Sequence, residues 1–532
     1  MSNLAEALIE HLVMRDVEVV FGIPGVHTLE LYRGVQSSGV RHVTPRHEQG
    51  AAFMADGYAR VTGKPGVALL ITGPGMTNAL TAMAQARADS IPMLVISSVN
   101  TKASLGKGLG FLHELPNQQA TIATIATSIR IESEADLTPA MDRVFNQFSS
   151  ERPGPAHIEL PLDVARETAT AVAAPNPAST LAAPANDVIE RASEMLTTAA
   201  KPVILAGGGV KRHNAMLQAL ATKLDAPVVL TTNARGLMHK HELVVPASAS
   251  LGSVRNMISD ADVVLAIGTE LGRTDYDMYD LGHMPVMNNL IRVDICSEQL
   301  VRQDAVLKIH ADAGDALAAL NEVLNTSPQQ NKVGATRAGS TNTAAFEEIG
   351  EAYRKQSDLL GVMRDTAPNS IIVGDSTQLM YACNLYYDHD RPGGWFNAAT
   401  GYGALGYGIP AAIGAAIADP NSPVICITGD GGAQFSLPEI MAAVDEKLAI
   451  VFIVWNNCGY LEIENFLKNA DVEPIGCDPT PPDFSLIAAA CKMPYFVCDD
   501  SQSAVATTLK EALTVAGPTL LEIDVIHGTT TI

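Results

Sequence analysis

The stretch LLITGPGMTNALTAMAQARADSIPMLVIS, Leu69 to Ser97, aligns without gaps on ICITGDGGAQFSLPEIMAAVDEKLAIVFI, Ile425 to Ile453. In both, an apolar run ends in Thr-Gly, a glycine-rich turn follows, a segment of helical length crosses over, and a second apolar run closes the unit. Continuously apolar strands joined by helices are typical of parallel sheets covered on both faces. The constant offset of 356 residues predicts that these regions are copies of one α/β unit.

Similar apolar runs alternate with Ala-rich segments along the whole chain of 532 residues, which is long enough for about three domains on a prior of roughly 150 residues each. Two low-complexity stretches, Thr168–Asn186 and Asn325–Thr343, have the composition of linkers. We therefore predict an α/β protein of three domains, each with a mostly parallel sheet flanked by helices, over residues 1–167, 187–325 and 344–532. The middle domain, with ILAGGGVKRH after a strand, is expected to be Rossmann-like.

The composition argues against several classes of partner. A net charge of −23, without any run of basic residues, disfavours binding to nucleic acid or to anionic membranes. The seven cysteines form no CxxC pair, which fits a reduced cytoplasm. We expect no targeting segment and no membrane insertion, because no segment reaches roughly 20 uninterrupted apolar residues.

Polar residues follow two predicted strands of the third domain. GDGG, Gly429–Gly432, ends one strand, and Asn456 and Asn457 end the next, with Asp430 placed 27 residues before Asn457. Ligands of α/β sheets bind at the carboxyl ends of parallel strands. One carboxylate, one amide oxygen and one main-chain carbonyl suit Mg²⁺, which prefers oxygen ligands. Three glycines would let backbone N–H groups approach a diphosphate: Gly429, Gly431 and Gly432.

With these motifs, the chain resembles over essentially its whole length the thiamine-diphosphate (ThDP) enzymes of the acetolactate synthase, pyruvate oxidase and 2-oxo acid decarboxylase superfamily. The resemblance implies that Asp430, Asn457 and the carbonyl of Gly459 hold Mg²⁺. It also implies that Ser376 and Thr377, in GDSTQ, contact the cofactor. Some relatives hold FAD in the middle domain, but the segment ASLGSVRN lacks the pattern that acetolactate synthases carry there. We therefore expect ThDP and Mg²⁺ and no FAD.

The resemblance assigns a catalytic carboxylate to Glu48 in RHEQGA, and it implies that Asn78 of GPGMTN, which follows in the chain, binds the cofactor. The aminopyrimidine N1′ must be protonated, and a carboxyl group in an apolar pocket can share that proton. In ATGYGALGYGIP, Leu405 matches the side chain that bends the cofactor, and the carbonyl of Gly403 should accept a hydrogen bond from its 4′-amino group. Because Glu48 and the metal turn belong to different domains, the family architecture implies a site between two subunits, so we expect a homodimer at least and a tetramer by preference.

Two further segments bear on the reaction. His27, in FGIPGVHTLELY, is a candidate proton donor or else a solvent-facing histidine. His113 and Glu114, in GFLHELPNQQA, replace the Gln-Glu pair of synthases and are candidates for contact with the substrate.

The segment WNNCGYLEIENF predicts a short helix beginning near Leu461. On that helix Glu462 and Phe466 share a face, whereas Glu464 points elsewhere. A pocket carboxylate needs a cationic partner or a raised pKa, because an unpaired buried charge is costly. The alternative is a solvated acidic helix face.

Taken together, GIPGVHTLELYRG, HELPNQ and GDSTQ resemble decarboxylases that act on 5-guanidino-2-oxopentanoate. A guanidinium opposite Glu462 would make a bidentate pair with its carboxylate. We therefore predict non-oxidative decarboxylation of a 2-oxo acid with a cationic tail, which yields the aldehyde. Two alternatives are an acetolactate synthase-like carboligase, which joins a second 2-oxo acid, and a noncatalytic binding subunit, which would not need Glu48, Asp430 and Asn457.

Overall fold

Apolar runs of the sequence form the buried strands of three sheets in a computed structural model, which describes residues 2–170, 174–177, 179–324 and 333–526. The described strands build three six-stranded parallel sheets flanked by helices, so the predicted fold class is confirmed. By contacts the chain divides into two compact units. The first contains Met1–Thr180, Tyr402–Phe496 and Ala512–Glu522, and the second contains Leu181–Gly401, Val497–Glu511 and Ile523–Ile532. The predicted domain boundaries stay a prediction.

The first sheet has the strand order β2-β1-β3-β4-β6-β5. Every residue of β3 and β4 is buried, as expected for central strands covered on both faces. The strands are β1 (Val19–Gly22), β2 (Arg41–Val43), β3 (Gly66–Leu70), β4 (Met93–Val99), β5 (Thr127–Arg130) and β6 (Pro155–Pro161). The helices are α1 (Leu4–Val13), α2 (Leu29–Ser38), α3 (Glu48–Thr62), α4 (Pro74–Ala88), α5 (Gln118–Ala123), α6 (Glu134–Ser150) and α7 (Leu162–Ala165).

The second sheet has the order β9-β8-β7-β10-β11-β12, the 3-2-1-4-5-6 order of Rossmann folds. Its strands are β7 (Pro202–Ala206), β8 (Val228–Leu230), β9 (Val244–Val245), β10 (Val263–Ile267), β11 (Ile291–Asp294) and β12 (Leu307–His310). Its helices are α8 (Asn186–Thr198), α9 (Asn214–Leu224), α10 (Gly252–Ser259), α11 (Arg273–Tyr276), α12 (Ser297–Leu300) and α13 (Ala313–Val323).

The glycine-rich turn after β7 has a packing function. A Cβ atom at Gly207 would lie 2.2 Å from the carbonyl oxygen of Gly268, just after β10. The N–H of Gly209 donates a 3.0 Å hydrogen bond to that same oxygen. The turn therefore brings the ends of two adjacent strands into backbone contact, a reason for its glycines that needs no nucleotide.

The third sheet repeats the order of the first, as β14-β13-β15-β16-β18-β17, which supports the relation between the two regions. Its strands are β13 (Ile371–Gly374), β14 (Trp395–Asn397), β15 (Val424–Gly429), β16 (Ile450–Asn456), β17 (Tyr495–Asp499) and β18 (Thr519–Asp524). The helices are α14 (Gly334–Glu348), α15 (Gly350–Thr366), α16 (Gln378–Leu385), α17 (Gly408–Ala418), α18 (Asp430–Ala433), α19 (Ile440–Asp445), α20 (Leu461–Asn469), α21 (Phe484–Ala490) and α22 (Gln502–Ala512). Short 3₁₀ turns cover Lys102–Ser104, Gly208–Val210, Thr232–Ala234 and Leu437–Glu439.

The second predicted linker is helical in its latter part. Residues 325–332 of that stretch lie outside the described residues, and α14 begins at Gly334. Ala338, Thr341 and Ala345 are buried on one face of the helix. The composition of small residues predicts a linker, and the structure adds that their spacing buries a stripe of them on one face of a helix.

Helix α3 packs closely on α17 within the first unit. A Cβ atom at Gly57 would lie 2.0 Å from the carbonyl oxygen of Ala411, so only glycine permits this approach. Beside it the side chain of Arg60, 3% exposed, pairs with Asp56 and Asp89 at 2.6 Å each. The hydroxyl of Tyr407 donates a 2.6 Å hydrogen bond to Asp56. A buried ionic network thus fixes the helix that begins at Glu48.

No helix in the described part of the chain combines the length and the apolar character that crossing a membrane requires.

Candidate active site

The end of β15 and the end of β16 bring the predicted metal ligands together. The backbone N–H of Asn457 lies 3.4 Å from the Oδ1 atom of Asp430. Burial raises the pKa of Asp430, while hydrogen bonds from the backbone of Asn457 and Gly459, among others, oppose that rise. Asp430 is also the first residue of α18, where a negative charge is favoured by the helix dipole. The three predicted ligands therefore lie in one place.

The turn after Asn457 has a backbone that its sequence explains. Cys458 has φ +58° and Gly459 has φ +153°. A Cβ atom at Gly459 would lie 2.5 Å from the carbonyl oxygen of Cys477, so glycine is required there. A Cβ atom at Gly431 would lie 2.4 Å from the ring of Tyr460. Gly431 thus lets the two strand-end turns approach each other, and Gly459 lets the second turn pass close to the backbone of Cys477.

The residues present fit Mg²⁺ and a diphosphate by the chemistry of their donors. Asp430 offers a carboxylate, Asn457 an amide oxygen and Gly459 a carbonyl, which are the hard oxygen ligands that this ion prefers. The turn Gly429–Gly432 leads directly into α18. Backbone N–H groups at such a turn suit phosphate oxygens.

Glu48 is the first residue of α3, half-buried, and its carboxylate accepts a 2.9 Å hydrogen bond from the amide nitrogen of Asn78. The imidazole of His47 caps the helix by accepting from the N–H of Gln49 at 3.1 Å. Asn78 lies in α4, which follows the turn at Gly73. Two motifs that the sequence places 30 residues apart are therefore in direct contact.

Gly403 and Leu405 lie in the turn that precedes α17. Gly403 is exposed, with φ +76°, and Leu405 is half-buried. The N–H of Ala404, between them, donates a 3.2 Å hydrogen bond to the side chain of Gln85, which is fully buried. This bond fixes the main chain on which both predicted cofactor contacts depend.

Ser376 and Thr377 lie in the second unit, at the carboxyl end of β13. The N–H of Ser376 donates a 2.7 Å hydrogen bond to the buried carboxylate of Asp375. Thr377 is buried and is the N-cap residue of α16. Both occupy the kind of strand-end turn at which α/β sheets bind ligands.

His27 and His113 lie together, with ring centroids 5.0 Å apart. Burial lowers the pKa of His27, the neighbouring His113 lowers it further, and a hydrogen bond with the side chain of Asn100 opposes both effects. His113 has φ +63°, and its carbonyl would lie 2.5 Å from a Cβ atom at Gly73. The predicted solvent-facing alternative is wrong for His27, which is buried.

Glu114 holds its own loop. Its carboxylate accepts hydrogen bonds from the N–H groups of Leu109, Gly110 and Phe111, at 3.2, 2.7 and 3.1 Å. Desolvation raises the pKa of Glu114, but these bonds outweigh it and the pKa is lowered. The structure thus gives Glu114 a function in shaping the loop next to His113, and its contact with substrate stays a prediction.

Helix α20 begins at Leu461, so the predicted helix start is confirmed. Glu462 is half-buried in its first turn, and Phe466, one turn later, is 65% exposed. Glu464 instead pairs with Lys468 on another face. No residue of this described helix is buried. The separation of the two acids that the spacing predicts is therefore present.

Two buried polar residues near the site were not found from the sequence. The side chain of Gln118, 2% exposed, accepts 2.9 Å hydrogen bonds from the Thr72 hydroxyl and the Gly73 N–H, and it donates to Glu159. The carboxylate of Glu439 accepts from the N–H groups of Arg46 and His47. Glu439 could have been noticed as a single polar residue in an apolar segment. Its hydrogen-bond partners could not be predicted, because they are distant in the chain.

Comparison with known proteins gives the same family along three parts of the chain. The models that match are the thiamine pyrophosphate enzyme N-terminal TPP binding domain (residues 2–121), central domain (189–320) and C-terminal TPP binding domain (374–523). A probable 2-ketoarginine decarboxylase of Pseudomonas aeruginosa is 41% identical over 498 residues, which cover 91% of this chain and 87% of the relative. An acetolactate synthase isozyme 1 large subunit of Escherichia coli is 30% identical, over 98% of this chain and 93% of the relative.

Among solved structures, a thiamine diphosphate-dependent 4-hydroxybenzoylformate decarboxylase of Rhodococcus jostii is similar in fold. The TM-score is 0.83, with 25% sequence identity, and the match covers 98% of this chain and 99% of the other.

Proposed function

This chain belongs to the thiamine pyrophosphate enzymes, and we propose that its substrate is a 2-oxo acid with a guanidino tail, which it converts to CO₂ and the aldehyde with Mg²⁺ as the second cofactor. The family and the decarboxylase relatives make it a thiamine-dependent 2-oxo acid decarboxylase. The tail, the metal and the individual residue roles are our proposal.

The observation that carries the guanidino tail is the place of Glu462. It is half-buried in the first turn of α20, which begins directly after the turn of Asn457 and Gly459. A carboxylate at this position can pair in a bidentate way with the planar guanidinium. The relative at 41% identity is a probable 2-ketoarginine decarboxylase, whose substrate is an acid of this kind.

Each site residue has a task in this proposal. Bound ThDP supplies the carbon that attacks the 2-oxo group and the ring that accepts electrons as CO₂ leaves. Asp430, Asn457 and Gly459 hold Mg²⁺, and Glu48 holds a proton at its carboxylate for the aminopyrimidine. Further cofactor contacts come from the motifs identified above: Asn78, Gly403, Leu405, Gly429, Gly431, Gly432, Ser376 and Thr377.

We assign proton delivery to the pair of His27 and His113. Burial and mutual repulsion favour neutral His27 at neutral pH, so the two rings do not both carry a charge. A neutral ring can accept a proton on its bare nitrogen while it donates the N–H of its other nitrogen, so it can relay a proton through a water or the product to the other ring, whose centroid lies 5.0 Å away.

We further propose a homodimer as the smallest active form and a tetramer as the preferred one. This follows from the family architecture, in which residues from two subunits complete each site. Cytoplasmic location likewise stays a prediction.

The alternative is carboligation of two 2-oxo acids, which the relation to an acetolactate synthase favours. Decarboxylation is preferred because the decarboxylase relative is more similar, at 41% against 30% identity. The test supplies ThDP and Mg²⁺, offers 5-guanidino-2-oxopentanoate, pyruvate and an aromatic 2-oxo acid, and identifies both CO₂ and the carbon product by mass spectrometry. A guanidino aldehyde would support the proposal, whereas acetolactate from pyruvate as the main product would overturn it.

A further inference from the structure

Glu439 is a carboxylate that the proposed reaction does not use, although it lies beside the catalytic helix. Glu439 is 2% exposed, and it is the last residue of the 3₁₀ turn Leu437–Glu439, just before α19. Its Oε1 atom accepts a 2.8 Å hydrogen bond from the N–H of His47. The N–H of Arg46 is shared between Oε1 and Oε2, at 3.1 and 3.0 Å. The contacts therefore fix main chain directly before Glu48.

We propose that Glu439 is a positioning residue for Glu48: its carboxylate clamps the backbone of Arg46 and His47 and so sets where α3 begins. The inference depends on the proposed role of Glu48. Because Glu48 is the first helical residue, a shift of the preceding turn moves its carboxylate directly. Proton transfer to a bound group requires heavy atoms within hydrogen-bond reach, so such a shift reduces the rate of the reaction.

The surroundings of Glu439 fit this clamp. A Cβ atom at Gly50 would lie 2.3 Å from Oε1, so glycine at position 50 makes room for the carboxylate. The guanidinium of Arg46 pairs with Asp445 at 2.5 Å, so Glu439 hydrogen-bonds the backbone of Arg46 and not its side chain. A negative charge at the start of the 15-residue helix α3 is also favoured by the helix dipole.

The charge on this carboxylate changes near neutral pH. Burial raises the pKa of Glu439 to about 7, and the charge of Glu48 adds to the rise. The N–H groups of Arg46 and His47 and the charge of Arg46 oppose it. The charged groups that act on the carboxylate are Arg46 and Glu48, and His47 binds it through its backbone N–H. Ionisation strengthens the clamp because charged acceptors form the stronger hydrogen bonds.

The test compares Glu439→Gln and Glu439→Asp with wild type, using Asp445→Asn as a matched control that removes only the exposed pair of Arg46. The first readout is amide hydrogen exchange of a peptide covering residues 44–50 in the protein without cofactor. The second is the pH profile of kcat and of KM for CO₂ release by the enzyme loaded with ThDP and Mg²⁺. Glu439→Gln keeps the shape of the side chain but removes its charge. Glu439→Asp keeps the charge, but its side chain is one methylene shorter, so the carboxylate lies farther from the backbone of Arg46 and His47.

We expect both Glu439 variants to exchange the peptide about tenfold faster or more, because a charge-assisted hydrogen bond is weakened. We expect kcat of both variants to fall about tenfold, while KM for the 2-oxo acid stays within about twofold of the wild-type value. In Glu439→Gln we also expect the acidic limb of the pH profile of kcat to change. Wild-type exchange and wild-type kcat in both variants would overturn the proposal, as would an equal effect of Asp445→Asn. If wild type releases no CO₂ from any 2-oxo acid, the proposed function fails, but the exchange comparison still decides whether Glu439 holds this turn.

Discussion

The amide of Asn78 donates a 2.9 Å hydrogen bond to the carboxylate of Glu48, which joins two motifs from separate helices of the first unit. The bond leaves the second carboxylate oxygen available for another partner. Asn78 therefore orients the group that we propose as the proton carrier.

We expect Glu48→Gln to reduce CO₂ release at least about 100-fold, because an amide cannot exchange the proton that the aminopyrimidine needs. Asn78→Ala should reduce it by about tenfold, since the carboxylate remains but loses one orienting bond. Steady-state kinetics with saturating ThDP measures both. Glu446→Gln, which removes an exposed pair with Arg41, is the control. Near wild-type activity in Glu48→Gln would contradict the assigned role.

Glu462→Gln should distinguish substrates by their tails. We expect kcat/KM on 5-guanidino-2-oxopentanoate to fall about 10- to 100-fold, because a charged hydrogen bond is lost, with less than about a threefold change on an apolar 2-oxo acid. Glu464→Gln, whose carboxylate pairs with Lys468, should leave both values near wild type. Equal losses on both substrates would remove the basis for a guanidino pocket.

The metal site gives a test of its own. Chelation should abolish CO₂ release, and added Mg²⁺ should restore it, because the diphosphate needs a cation held by Asp430. Asp430→Asn should raise the half-saturating Mg²⁺ concentration by about tenfold or more, equivalent to about 1.4 kcal/mol. Activity that is unaffected by exhaustive chelation would exclude the proposed metal.

The buried network of α3 should be sensitive to loss of its cation. Arg60→Met leaves the carboxylates of Asp56 and Asp89 buried without their partner, and we expect a loss of about 3–5 kcal/mol in the free energy of unfolding. Lys64→Met removes an exposed pair with Glu18 and should cost under about 1 kcal/mol. Urea unfolding followed by circular dichroism compares the two. Similar stabilities of the two variants would show that the network contributes little.

Buried His157 predicts a loss of stability in acid. Burial, with the charge of Arg130, lowers its pKa to about 3, so between about pH 6.5 and pH 3 the unfolded chain binds a proton that the folded chain does not. The contribution of neutral His157 to the free energy of unfolding is thus fully present above about pH 6.5. It falls as the pH drops, by about 2 kcal/mol between pH 7 and pH 5. His157→Gln also loses hydrogen bonds with Ser97 and Ser128, so the readout is the slope of stability against pH, which should be shallower. An unchanged slope would refute this linkage.

The sequence by itself determined the fold class, because fully buried parallel strands require apolar runs at regular intervals, and those runs can be read directly. It also predicted that Asp430 and Asn457 meet, since they end adjacent strands, and strand ends meet at one edge of a sheet. The start of α20 followed from its place after the turn of Asn457 and Gly459, and the separation of Glu462 from Glu464 followed from helical spacing. In contrast, the composition around α14 did not indicate a helix, because small residues suit a closely packed helix face as well as a linker.

Only the tertiary structure decided which polar groups meet across large distances in the chain. The clamp of Glu439 on His47, 392 residues away, and the pairing of His27 with His113 leave no periodic signal, because each contact is a single encounter between separate elements. The same holds for Glu114, whose type and position suggest a substrate contact but whose carboxylate holds its own loop. Local spacing predicts which side chains one helix or strand exposes on a given face. Packing determines which residues of other elements those side chains contact, and packing depends on the whole chain.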